Sequence, residues 1–184
     1  MTDAFPPAGL LRRAGAFGLD YLVIAAYLVL VVAAGATARS VAPEAARALF
    51  GGPLIAELTG FLVVTLPISL YFVLSERGPR GATWGKRRLG LRVVTEAGEP
   101  LTLARSALRT ALKFLPWELA HAVIWRFAFP GSALPGLPEA GLVLVWTLVG
   151  INLVAALVDA RRRTAYDRLA RTRVVRAPEV PSVL

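Results

Sequence analysis

A chain of 184 residues that is 56% hydrophobic, only 18% charged and free of cysteine is not composed like a soluble globular domain. Lacking cysteine, it has no disulfide framework, no thiolate nucleophile and no cysteine metal site. Its net charge of +9 would suit nucleic acid, but the basic residues gather at the ends of apolar runs. That is the positive-inside pattern of a polytopic membrane protein, with no nucleic-acid partner.

Residues 1–9, with Pro6-Pro7, read as a short extended tail. A helix is expected over Leu10–Ala38, crossing the membrane at about 14–38. Between Ala14 and Ala38 the only charge is Asp20. A helix of that length reaches ~37 Å, more than the ~30 Å of a hydrocarbon core. The run is too long for a signal-peptide core and reads as retained. An unpaired aspartate at a helix centre costs roughly 2.5–3.5 kcal/mol. Arg13 shares its helix face, but side chains lean toward the N-terminus, so Arg13 points away from Asp20. Asp20 is therefore expected to find its partner on another helix.

Ser40–Pro53 reads as a loop. A second span follows at about 54–75, with Pro67 inside it. Pro67 lacks a backbone donor and is expected to kink the helix, which membrane helices tolerate when neighbours satisfy the freed carbonyl.

Composition then changes sharply. Glu76–Pro100 carries Arg77, Arg80, Lys86, Arg87, Arg88 and Arg92 against Glu76, Glu96 and Glu99. Within it Leu91–Val94 is strand-like, closed by the turn chemistry of Glu96-Ala97-Gly98-Glu99. The glycines of Gly81–Gly85 lack phosphate-loop spacing and read as turn positions. Trp84 beside Lys86, Arg87 and Arg88 reads as an anchor among anionic headgroups.

Leu101–Phe129 is helical by pattern. Arg105, Arg109 and Lys113 recur every four residues, giving a cationic stripe suited to the membrane surface. Beyond it, Glu118 and His121 share a helix face just after Pro116. This stretch is expected to span at about 107–129. Pro130–Pro138 is a loop, and the fourth span lies at about 139–159. Its nineteen residues from Ala140 to Val158 carry no charge, and Asn152 is expected to bond between helices. The C-terminal segment is again basic. Thr172–Val175 is a second strand candidate, and 177–184 reads as a disordered tail.

Placing every basic segment in the cytosol requires four crossings and puts both termini inside; the alternative, three helices with Leu101–Phe129 lying on the membrane surface, leaves one basic end outside. The expected fold is an all-α polytopic membrane protein: a four-helix transmembrane bundle in the cytoplasmic (inner) membrane, with a small cytosolic two-strand element. The two strands are too short to stand alone and are expected to pair.

Three segments resemble the RDD family of small bacterial membrane proteins. They are Arg12-Arg13-Ala14-Gly15-Ala16-Phe17-Gly18-Leu19-Asp20; then Gly81 to Val94 with Gly98, Leu101 and Arg105; and Tyr166-Asp167-Arg168-Leu169-Ala170-Arg171-Thr172-Arg173-Val174-Val175. The resemblance makes Arg13 the family's arginine, Asp20 its first aspartate and Asp167 its second, in preference to Asp159. Tyr166 stands where the family often has His, and Arg171 where Gly is usual. What it implies is a cytoplasmic-membrane protein, with cation or proton transport proposed for some members.

Two functional readings follow. In the first, Asp20, Glu118 and His121 bind a monovalent cation or relay a proton, while Arg13 and Asp167 form a cytosolic latch. Four helices leave little room for a pathway, so this reading requires a homo-oligomer. In the second, the chain is a membrane scaffold or accessory subunit whose basic face, including Trp84, Lys86, Arg87 and Arg88, meets anionic lipid or a partner protein. The same carboxylates are then structural. A lone His with no accompanying ligand motif does not suggest a metal, and no serine has a nucleophile's setting, so neither cofactor nor enzyme activity is expected.

Overall fold

The structure is a computed structural model that describes residues 6–177. It is mainly helical. α1 (Leu10–Val41) is followed by the short α2 (Pro43–Ala48), α3 (Pro53–Gly60), a π-helical turn at Phe61–Thr65 and α4 (Leu66–Arg77). Then come α5 (Trp84–Arg88), β1 (Leu91–Thr95), α6 (Leu103–Ala128), α7 (Leu137–Val158), α8 (Ala165–Leu169) and β2 (Thr172–Arg176). Three helices are long and apolar enough to cross a membrane: Leu10–Val41, Pro53–Arg77 and Leu137–Val158. The 26-residue α6 is not among them, because Arg105, Arg109, Lys113, Glu118 and Arg126 interrupt it.

The chain divides into two compact units. One comprises the described residues up to Val23, Tyr71–Lys113 and the described residues from Ile151. The other comprises Ile24–Leu70 and Phe114–Gly150.

In the first unit β1 and β2 form a two-stranded antiparallel sheet, with Val93 opposite Val174 and Leu91 opposite Arg176. The two expected strands therefore pair. The turn after β1 closes as its composition requires: Gly98 takes φ +90° and donates to the Thr95 carbonyl at 3.0 Å. The core of this unit is small and aliphatic, built from Ala8, Ala16, Leu91, Val93, Leu101 and Val174. Such a core buries little area, so polar contacts carry much of the specification.

The described part of the expected extended tail lies along the sheet. Ala8 is fully buried and donates to the Val174 carbonyl at 3.0 Å, while Arg176 donates to Pro6 at 3.1 Å. Residues 6–8 thus extend the sheet at the free edge of β2. The remainder of that tail, 1–5, and residues 178–184 lie outside the described residues. The expected loop at Ser40–Pro53 is instead part helical, with α1 running to Val41 and α2 following at once.

In the second unit the expected effect of Pro67 takes a particular form. Its missing N–H orphans the carbonyl four residues earlier, that of Val63. Tyr27 Oη donates to that oxygen at 2.5 Å. The helix absorbs the irregularity in the π turn just before the proline. Polar side chains in this unit are also paired. Arg126 bonds to Glu57 at 2.8 Å. Glu118 accepts from Thr65 Oγ1 and lies 3.5 Å from His121 Nδ1, whose ring meets Trp117 edge-on.

Candidate functional site

The first unit holds a connected line of charged side chains drawn from α1, α4, α5, α6 and α8. The last of these supplies its organising carboxylate. Thr164 caps this short helix: its hydroxyl accepts from Asp167 N, and Asp167 Oδ2 accepts from Thr164 N. This reciprocal capping box fixes the aspartate's rotamer. Oδ2 also receives Arg13 Nη2 from α1 at 2.7 Å. Oδ1 receives Arg109 Nε and Nη2 from α6, at 3.0 and 2.9 Å. Burial alone would raise the Asp167 carboxyl, but Arg109 and Arg13 outweigh it and hold it down at about 2.

Arg109 is the largest fully buried side chain. Its remaining terminal nitrogen donates to Glu76 Oε2 at 2.5 Å, and its guanidinium lies 5.1 Å from the Tyr166 ring. Glu76, at the end of α4, receives Lys86 Nζ from α5 on its other oxygen at 2.9 Å. Signs therefore alternate along Arg13, Asp167, Arg109, Glu76 and Lys86. Each interior member has a partner on both sides, the condition under which buried charge is tolerated.

Asp20 adjoins this line and is fully buried. Oδ1 accepts from Tyr71 Oη at 2.8 Å and from Gly85 N at 2.7 Å; Oδ2 accepts from Thr83 Oγ1 at 2.5 Å. The proton directions are set by what else the hydroxyls do. Tyr71 Oη accepts from Trp84 N at 3.0 Å, and Thr83 Oγ1 accepts from Lys86 Nζ at 3.4 Å. Each hydroxyl spends an acceptor site on an N–H and turns its proton to Asp20. The lysine contact also joins Asp20 to the charged line.

Gly85 makes this approach possible. A Cβ there would overlap the Ala16 carbonyl and sit 2.8 Å from Asp20 N. Gly81, by contrast, is a true turn position, with φ +58° and its carbonyl accepting from Val93 N at 2.7 Å. The reading of both glycines as turn residues thus holds for Gly81 only.

The expected partnership of Asp20 with another helix is present through Tyr71 of α4. Arg13 and Asp167 are in direct contact. Glu118 and His121 lie together in the second unit. Two expectations are corrected. The stripe of Arg105, Arg109 and Lys113 does not form a membrane-surface face: Arg109 is buried between two carboxylates, and Lys113 Nζ lies 3.3 Å from the Phe72 ring centroid. Lys86 does not share the outward face of its neighbours: its ammonium turns in to Glu76, while Arg87 and Arg88 are exposed, with Arg88 against the Trp84 ring. Glu76 and Arg109 were the residues that sequence reasoning missed. Their one signal is sparsity: Glu76 is the only carboxylate between Glu57 and Glu96.

Asn152 accepts from Tyr166 N at 3.3 Å, tying α7 to the start of α8. Asp159 caps the end of α7, accepting from Arg161 N and Arg163 N, both at 3.0 Å. Among the described residues no group of three or more His, Cys, Asp or Glu side chains is arranged to hold a metal.

Three membrane-capable helices and a buried, paired charge line define an integral membrane protein of several spans. The sequence model of the RDD family matches residues 7–171, and the chain belongs to that family. No curated protein and no solved structure gives a match. Arg171, where the family usually has Gly, takes φ +53°, a left-handed backbone that glycine adopts without cost.

Proposed function

We propose that this chain is a non-catalytic scaffold of the cytoplasmic membrane, crossing it four times with both termini in the cytosol. α6 supplies the fourth crossing, since each basic segment then lies on one side. Exposed Arg87 and Arg88, with Trp84, meet anionic headgroups, and the chain acts as a homo-oligomer or beside a partner protein.

The observation that carries this reading is the closure of Asp20. Three neutral donors from the chain itself occupy its oxygens. A cation would compete with those same donors. Arg13 and Asp167 are likewise spent on structure.

Transport remains a second reading on one observation. Glu118, His121 and Thr65 form a polar group that joins a carboxylate, an imidazole and a hydroxyl. Purified protein in proteoliposomes separates the two. The scaffold reading expects no flux of protons, Na⁺ or K⁺ above protein-free vesicles at any pH from about 5 to 9, while Asp20→Asn lowers thermal stability. Flux that disappears in His121→Ala or Asp20→Asn protein of normal stability would reject it.

A further inference from the structure

The first unit contains a half-open pocket of about 390 Å³, within the roughly 300–1,000 Å³ of small-molecule sites. Four of its lining residues are basic: Arg13, Lys86, Arg109 and Lys113. None is acidic. The carboxylates that bond to three of these, Asp167 and Glu76, are fully buried and do not line it. They hold the cations in place while leaving the pocket a positive wall. Arg109 spends three donors on those carboxylates, out of the five a guanidinium carries.

The rest of the lining is mainly apolar, including Leu10, Ala14, Phe17 and Ala156. Ala14 and Phe17 are exposed on the face of α1. They belong to a helix long and apolar enough to cross the bilayer. The mouth therefore opens beside a surface suited to acyl chains, and the cations lie within. Leu91 and Val174, from the two strands, also line it.

From this arrangement we infer a binding site for a phosphate ester bearing an apolar substituent: the phosphate meets Arg13, Lys86, Arg109 and Lys113, and the substituent leaves along Ala14 and Phe17. An enclosed cationic wall with an apolar exit is selective for that combination, unlike the exposed arginines, which attract any anionic surface. The inference is independent of the scaffold reading and stands equally under transport.

The chemistry has two natural sources, an anionic phospholipid or a soluble phosphate ester. The full chain in neutral detergent is titrated with phosphatidylglycerol, with phosphatidylcholine, with a short-chain, water-soluble phosphate ester and with inorganic phosphate. Binding is read by native mass spectrometry and by the shift in Tm. A membrane source gives a saturable adduct of one phosphatidylglycerol per chain, with phosphatidylcholine and phosphate weaker by roughly tenfold or more. A short-chain, water-soluble phosphate ester that binds as tightly as phosphatidylglycerol assigns the site to a soluble ester, whereas an equal response to inorganic phosphate, which has no apolar substituent, overturns the inference.

Lys113→Gln should weaken binding by about tenfold, the lower end for losing one charged hydrogen bond. Ala14→Phe, which keeps every charge and fills the exit, should abolish the phospholipid adduct while the protein stays monodisperse. Arg39→Gln, at the far end of α1, removes one charge as a control and should change nothing. No saturable anion binding, or binding unaltered in both Lys113→Gln and Ala14→Phe, overturns the inference.

Discussion

Asp167→Asn tests the charged line at its most connected point. The substitution keeps the volume and one acceptor oxygen but removes the charge facing Arg13 and Arg109. It also places an amide N–H₂ where Arg13 Nη2 and Thr164 N now donate. The carboxylate is fully buried, so water does not screen the loss. Removing one member of a buried pair costs about 3–5 kcal/mol. For a chain of this size each kcal/mol moves Tm by ~2–4 °C, so the variant should melt roughly 10 °C lower. Intrinsic fluorescence of the four tryptophans in detergent reports the transition. Arg13→Gln should cost less, because the Arg13 side chain keeps 12% exposure. The double variant should lose less than the sum of the two, since both remove one contact. If Asp167→Asn melts within about 2 °C of the wild type, a drop too small for a buried pair, the charges are not coupled as described.

Acid gives an independent handle on the same residue. The carboxyl is held at about 2 in the fold, with burial opposing and Arg109 and Arg13 overcoming it. An unfolded aspartate titrates near ~3.9. The depressed group contributes stability that is complete above pH ~4 and is lost as pH falls toward 2, about 2 kcal/mol in all. The acid limb should be shallower by about 2 kcal/mol in Asp167→Asn when Tm is followed from about pH 6 down to 2. Gly85→Ala should lower Tm by several degrees, because its Cβ meets backbone at Ala16 and Asp20 and cannot be relieved by a side-chain rotation. Tyr27→Phe should cost about 1 kcal/mol by orphaning the Val63 carbonyl. In a Pro67→Ala background that cost should shrink, because the alanine restores a backbone donor; equal cost in both backgrounds would refute the assignment.

Much of the architecture was legible because it is periodic or compositional. The apolar run after Arg13 and the uncharged stretch to Val158 announce helices whatever they pack against. Leu91–Val94 and Thr172–Val175 were recognisable as partners because neither can persist alone. Side-chain destinations were less legible. A spacing of four placed Arg105, Arg109 and Lys113 on one face, but spacing does not say whether that face meets headgroups or carboxylates. The answer depended on Glu76, thirty-three positions away from Arg109. The donors that close Asp20 come from Tyr71, Thr83 and Gly85, two hydroxyls and a backbone N–H with no charge to advertise them. Pro67 was legible as a lesion in its helix; its repair by Tyr27 was not, since any nearby hydroxyl would serve.

The contact between Arg13 and Asp167 joins residues 154 positions apart. A ribosome adding roughly 5–20 residues per second delivers the second about 10–30 s after the first. During that interval α1 is available to the membrane while its arginine has no aspartate, and Arg109 has Glu76 but not its second carboxylate. The sheet is also unfinished, because residues 6–8 wait for β2. Synthesis order therefore separates two events, insertion of the early helices and closure of the first unit. α8 and β2 complete contacts begun by Arg13 and residues 6–8. A chain stopped before α8 leaves Arg13 and Arg109 short of the carboxylate they share.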